Sequence, residues 1–254
     1  MGAMAKETVL KGATLALAAT GSLALTWGAT PAMAQGKGFV PMSDPFNSFS
    51  LGIGGGVDIF RTSTDSYLSP PGLDFGGPLR GVGGFATIEV GKDFRFDRLV
   101  FGIAAEYNFG RKSDDVSGTY CSDGCATGTA ELELRDSHAV MARLGLLTGP
   151  QTLFYGLFGY TWQKYTATAT EDATDCCSYV DSTSRSGMIG GLTFGVGGEW
   201  LINSQWSLKG EYRFVRLNAP REFVGAGCCT YAFFDDKVDD HVFRGALSFK
   251  LPSP

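Results

Sequence analysis

The sequence predicts an all-β chain, an eight-stranded antiparallel up-and-down transmembrane β-barrel, and three observations lead there. Eight runs of period-2 alternation follow one another along the chain after residue 48. The connections between them alternate long and short. On nearly every run the apolar and aromatic residues take one face and the ionisable residues the other. Composition agrees with this. Only 19% of the 254 residues are charged, while 36 are glycine and 13% are aromatic. A hydrophobic content of 44% excludes a bundle of membrane helices but allows a barrel, in which only alternate residues of each strand meet lipid. With 21 bases against 26 acids the net charge is −5, so no basic surface for nucleic acid is expected.

Residues 1–34 read as an export signal outside the fold. Lys6 and Lys11 make a weakly positive start, residues 13–25 are an apolar run too short to span a bilayer, and Ala32-Met33-Ala34 is a small-x-small cleavage pattern. These flanks fit a buried N-terminal helix poorly. The mature chain is expected to begin at Gln35, with a polar periplasmic tail over 35–47 and the barrel over 48–254.

The first run places Phe49, Leu51, Ile53, Val57 and Ile59 on one face and Gly52, Gly54, Gly56 and Asp58 on the other. The second sets Val82, Ala86, Ile88 and Val90 against Phe85, Thr87 and Glu89. In the third, Leu99, Phe101, Ile103, Ala105, Tyr107 and Phe109 oppose Gly102, Ala104, Glu106 and Asn108. The fourth sets Val140, Ala142, Leu144 and Leu146 against Met141 and Arg143. The fifth, 153–165, is apolar on both faces and its register stays unassigned. Leu192, Phe194, Val196 and Trp200 oppose Thr193 and Glu199 in the sixth. Leu208, Tyr212 and Phe214 oppose Lys209, Glu211 and Arg213 in the seventh. Phe243, Leu247 and Phe249 oppose Arg244, Ser248 and Lys250 in the eighth.

Short connections are expected at 92–98, 148–152 and 202–205, and long ones at 61–79, 111–131, 168–183 and 218–239. Tight turns at one end and four long outer loops at the other are the layout of a membrane barrel, with both chain ends on the short-turn, periplasmic side. The ionisable faces then point into a narrow lumen. Asp58, Glu89, Glu106, Glu199 and Glu211 meet Arg143, Lys209, Arg213, Arg244 and Lys250, so acids and bases balance. Buried charges persist only when paired and hydrogen-bonded, and an eight-stranded barrel is just wide enough for side chains to fill it. An ion-pair network plugging the lumen is the expectation. The opposite arrangement, a soluble barrel with an apolar core, would place the same charges outside. Trp162, Trp200, Trp206, Tyr160, Tyr212 and Phe249 lie near run ends, where aromatic girdles belong.

Three stretches carry a family resemblance: Gly195-Val196-Gly197-Gly198-Glu199-Trp200, Trp206-Ser207-Leu208-Lys209-Gly210-Glu211-Tyr212, and His241-Val242-Phe243-Arg244-Gly245-Ala246-Leu247-Ser248-Phe249. Together they resemble the C-terminal half of the small proteobacterial outer membrane immunogenic, or surface-antigen, barrels, which are related in architecture to the OmpA transmembrane domain. The motifs match over 186–251, and the earlier chain matches in pattern. The resemblance implies a Gram-negative outer-membrane barrel inserted by the outer-membrane assembly machinery, in contact with lipid and lipopolysaccharide, with surface-exposed loops. Two features depart from it. Phe249 is followed by Lys250-Leu251-Pro252-Ser253-Pro254 where the family ends on an aromatic, and six loop cysteines are unusual.

Those cysteines are Cys121 and Cys125, Cys176 and Cys177, and Cys228 and Cys229, one pair in each of three long connections. Disulfides persist in that compartment, and six cysteines allow 15 pairings that sequence does not resolve. A bridge between Cys176 or Cys177 and Cys228 or Cys229 is the expectation, since a bond between vicinal cysteines closes a strained ring. A thiolate metal site is the alternative, but no pair has the usual zinc spacing. No cofactor is expected. Catalysis would rest on His138, preceded by Asp136-Ser137, or on His241, preceded by Asp239-Asp240, with no supporting motif around either. Gly81-Val82-Gly83-Gly84-Phe85-Ala86 matches a nucleotide-loop pattern formally but opens no helix, so it reads as strand glycines. A structural or surface-interaction barrel is therefore expected, with a small passive channel as runner-up and a surface adhesin or rim enzyme behind it; the external ligand stays unassigned.

Overall fold

The computed structural model describes residues 44–62, 66–68, 75–121, 125–173, 179–219, 222–226, 230–234 and 237–251. The expected signal segment and the first part of the tail lie outside the described residues, as do Cys176, Cys177, Cys228 and Cys229.

Alternation of apolar and polar residues builds strands throughout. In chain order they are β1 (Phe49–Thr62), β2 (Ser66–Leu68), β3 (Phe75–Gly77), β4 (Arg80–Phe96), β5 (Leu99–Cys121), β6 (Cys125–Leu147), β7 (Thr152–Ala173), β8 (Tyr179–Leu201), β9 (Trp206–Asn218), β10 (Glu222–Ala226), β11 (Thr230–Phe234) and β12 (Lys237–Leu251). Eight of them close a barrel in the order β1-β12-β9-β8-β7-β6-β5-β4, each pair antiparallel. The other four form a small sheet in the order β10-β11-β2-β3.

The register fixes the barrel's shape. Stepping across partners from Ile59 leads through His241, Phe214, Phe194, Phe158, Ala142, Ile103 and Lys92, and returns to β1 at Phe49. That displacement of ten residues (59 less 49) tilts the eight strands by about 40–45° and leaves an interior that side chains can fill. On β5 the outward residues stay apolar from Leu99 to Phe109, and Arg111 follows. Ten residues at ~3.3 Å each along so tilted a strand span roughly 24 Å, about the thickness of an apolar membrane band.

The outward faces are those expected, and β7 now has a register. Phe154, Phe158 and Tyr160 point out, while Leu153, Tyr155, Leu157, Thr161 and Gln163 point in. Glycine and aromatics fit each other across the ladders. A Cβ on Gly81 would stand 2.0 Å from the ring of its partner Phe60, and one on Gly197 would stand 2.7 Å from the ring of its partner Tyr155. Large inward rings thus lie over bare backbone, which links the glycine content to the aromatic content.

The connections need correction. The turn end is tighter than expected, because β4 runs on to Phe96 and only Asp97 and Arg98 turn the chain. Asp97 sits at φ 56°, a left-handed conformation that Asp tolerates better than most residues. At the other end, 111–131 and 168–183 are strand for most of their length, not loop. The segments 61–79 and 218–239 hold β2, β3, β10 and β11. Two register shifts lie at the level where these extensions begin. The β5–β6 register shifts between Asn108 and Arg111, and the β6–β7 register between Leu134 and Ser137. Across the second, β6 changes phase: Ala139, Met141 and Arg143 face in below it, and Ala130, Leu132 and Leu134 face in above it.

Candidate functional site

Seven acids and six bases line the lumen among the described residues, in three layers. Nearest the turn end, Asp93 accepts from Arg143 Nε at 2.8 Å and from Lys250 Nζ at 3.1 Å. Glu199 lies 2.9 Å from Arg143 Nη1 and 2.6 Å from Lys250 Nζ, and it accepts from Ser207 Oγ at 2.7 Å. In the middle layer Glu89 pairs with Lys209 at 2.5 Å and with Arg244 at 2.7 Å. Glu106 takes both Nη atoms of Arg213 and, at 2.8 Å, Nη1 of Arg244. Glu211 accepts from Arg213 at 2.6 Å, from Arg244 at 3.1 Å and from the Tyr155 hydroxyl at 2.7 Å. Nearest the outer end, Lys112 Nζ donates to Asp58 at 2.6 Å and to Asp240 at 2.5 Å.

All ten lumen residues named from the sequence therefore lie in one interior, together with Asp93, Lys112 and Asp240, which sequence reasoning missed. Asp93 falls within the expected short connection 92–98, Lys112 within the expected long connection 111–131, and Asp240 in the rim cluster beside His241. The available signal was parity: Asp93 continues the Glu89 face, Lys112 the Glu106 face, and Asp240 the Arg244 face, each at an even spacing. The inner two layers are balanced, two acids with two bases and three with three. The outer layer has two carboxylates to one ammonium.

Apolar clusters close both ends of this column. At the turn end, Phe46 is buried among Val100, Leu147, Leu153 and Leu201. The last residues of the expected polar tail are thus a stopper. Asp44 shapes it by accepting the Phe46 N–H at 3.0 Å, and Ser48 Oγ donates to the Pro45 carbonyl at 2.8 Å. At the outer end, Phe60, Leu79, Leu132, Leu134, Tyr165, Ile189, Val215, Leu217 and Val238 form a second core above the charged layers. The strands β10, β11, β2 and β3 lie across the outer parts of β5 to β8. Between the layers lie voids of about 20 Å³ and about 30 Å³, each room for a water molecule or two.

The other candidate chemistry disperses. His138 stacks on Trp162 at 5.3 Å, and His241 Nδ1 meets the Tyr212 hydroxyl at 2.8 Å, both on outward faces. They sit on β6 and β12, four strands apart around an eight-strand ring, so they cannot converge on one substrate. Gly81 to Ala86 lie within β4. Cys125 is disulfide-bonded, and the backbone of Cys121 lies opposite it at the tip of the β5–β6 hairpin. Among the described residues no three His, Cys, Asp or Glu side chains gather as a metal site.

Outside, charged side chains follow the apolar band. Arg61, Arg80, Arg111, Arg135, Lys164 and Arg216 mark its outer limit, with Glu133, Asp136 and Asp239 paired to some of them. At the turn end Trp200, Trp206 and Phe249 form the inner girdle, Trp206 and Phe249 packing at 5.0 Å.

A family described as the outer membrane protein beta-barrel domain matches residues 20–250. The 31 kDa outer-membrane immunogenic proteins of Brucella melitensis and Brucella suis are each 28% identical over 174 residues, covering 67% of this chain and 68% of theirs. Among solved structures, Neisserial surface protein A is similar at 14% identity with a TM-score of 0.39, covering 80% of this chain and 97% of its own. The outer membrane protein OprG from Pseudomonas aeruginosa is similar at 11% identity with a TM-score of 0.44, covering 83% and 100%.

Proposed function

From the premise that this chain belongs to the outer membrane protein β-barrel family and resides in the Gram-negative outer membrane, we propose that it is a non-conducting structural barrel that displays its outer strands at the cell surface. One observation carries this reading: among the described residues the lumen is filled from Phe46 to the outer apolar cluster by paired charges, and the voids between the layers hold about 20 and 30 Å³, room for a water molecule or two. A conducting pore needs a water-filled path, and moving an ion through this column would require breaking desolvated pairs. Disulfides among the outer cysteines, Cys125 included, brace the displayed strands. The basic residues above the apolar band suit the phosphates of lipopolysaccharide, and insertion by the outer-membrane assembly machinery goes with the family. No catalytic role is assigned.

Conductance of the purified barrel in a planar bilayer tests the proposal. Silence is expected. Stable unitary currents in the unmodified protein would overturn it in favour of the small passive channel.

A further inference from the structure

Between the rim charges and the turns the outward face is apolar, with one exception. Among the described residues of that band, Lys92 on β4 is the one Lys, Arg, Asp or Glu that faces lipid. Its parity is outward: Val90 and Phe94 on either side point out, while Glu89 and Asp93 are buried in the lumen. Its ladder partner Ile103 lies four residues into the apolar run that begins at Leu99. At ~3.3 Å per residue along a strand tilted by about 40–45°, the Lys92 backbone sits roughly 10 Å inside the turn-end boundary.

A lysine facing hydrocarbon is costly, and more so with depth, so it reaches for the interface and for an anion. The Lys92 side chain reaches back toward the turns. Its ammonium lies 4.6 Å from the centre of the Phe49 ring, its partner on β1, and 5.5 Å from that of Phe94, two residues nearer the turn. No carboxylate among the described residues pairs with it. The ring faces attract the charge but do not neutralise it.

On the side of Lys92 away from the turns, the outward face carries an open apolar groove of about 510 Å³. Leu51, Val90 and Ala105 form the ladder row next to Lys92, and Ile53, Ile88 and Tyr107 form the row beyond it, nearer the membrane midplane. An unpaired cation at the turn-end mouth of an apolar groove is complementary to a phosphate followed by an acyl chain.

We propose that Lys92 and this groove bind one anionic phosphoglyceride of the leaflet at the turn end, its phosphate on the ammonium and an acyl chain along Val90 and Ala105 toward Tyr107. The order of the parts selects the leaflet. A lipid of the opposite leaflet, lipopolysaccharide included, carries its phosphates at the level of Arg61 and Arg80 and would bring chain ends to Lys92. The site is separate from the lumen and from the rim contacts of the structural role proposed above, and its test involves no conductance.

The folded barrel, delipidated in detergent, is titrated with phosphatidylglycerol and with diacylglycerol of the same chains, and bound lipid is counted by native mass spectrometry. The first phosphatidylglycerol is expected to bind about tenfold tighter than the diacylglycerol. Lys92→Gln, which only removes a charge from the lipid face, should erase that difference, and Lys92→Arg should keep most of it. Ala105→Phe, at a lipid-facing position that accepts a ring, should fill the groove and weaken both lipids. A diazirine at the middle of the acyl chain should label 51–53, 88–90 and 105–107. Equal affinities for the two lipids in the unmodified barrel, or a preference that survives Lys92→Gln, would overturn the proposal. So would labelling confined to the rim at 61 and 80–82, which would put the phosphatidylglycerol among the outer arginines.

Discussion

Replacing Arg244 by Ala removes the cation on which the middle layer converges. Its guanidinium meets Glu89, Glu106 and Glu211 at 2.7, 2.8 and 3.1 Å, and the side chain is 1% exposed. Without it, three carboxylates share Lys209 and Arg213, and a balanced layer acquires a formal charge of −1. Removing one partner of a buried ion pair costs about 3–5 kcal/mol, because the remaining charge loses its partner in a poorly solvated place. That corresponds to roughly two to nearly four decades in the unfolding equilibrium. Urea titration of barrels folded in phosphocholine vesicles, read by the fluorescence of the outward tryptophans, measures it through the midpoint at unchanged slope. Arg216→Ala is the control, since that pair with Asp239 sits exposed on the rim and screened by water, so its midpoint should not move. Arg244→Lys keeps the charge and loses the planar fork, so its midpoint should fall between wild type and Arg244→Ala. An Arg244→Ala midpoint no lower than that of Arg216→Ala would refute the reasoning, because the column would then be solvated rather than dry.

Truncating the stopper, Phe46→Ala, should cost about 3–5 kcal/mol in the same titration; a loss below about 1 kcal/mol would show that the ring does not seal the turn end. Gly191→Ala places a Cβ 1.8 Å from the Arg216 carbonyl oxygen, so β8 and β9 must separate locally and stability should drop by about 1–3 kcal/mol. Protease added to intact cells should cut within 61–79 or 218–239 and spare 148–152 and 202–205; cleavage at the latter turns would invert the topology. Mass mapping of unreduced peptides should find a bridge from Cys176 or Cys177 to Cys228 or Cys229, and six free thiols or bridges confined to single loops would exclude the brace.

The sequence by itself determined the fold class, the strand count and the two faces, because in a strand every second residue shares a face and lipid demands an unbroken apolar one. It placed Glu89, Glu106, Lys209, Glu211, Arg213 and Arg244 on inward faces for the same reason, from alternation alone. Tertiary structure decided what alternation does not encode. The phase of β7 came from its neighbours, since Leu153 to Tyr165 is apolar on both faces and only the β6 and β8 ladders choose between them. The bulge at Arg135 and Asp136 reversed the phase of β6, so the wall above the membrane read as loop. Which acid meets which base depends on the ten-residue displacement around the ring, a property of closure that no single strand carries. Phe46 looked like part of a tail because nothing local shows that a ring outside any strand finds a hole between Val100 and Leu201. How far each strand runs is likewise a property of its ladders: β8 pairs with β9 only as far as Gly190 and Asn218, while it pairs with β7 as far as Tyr179 and Ala173.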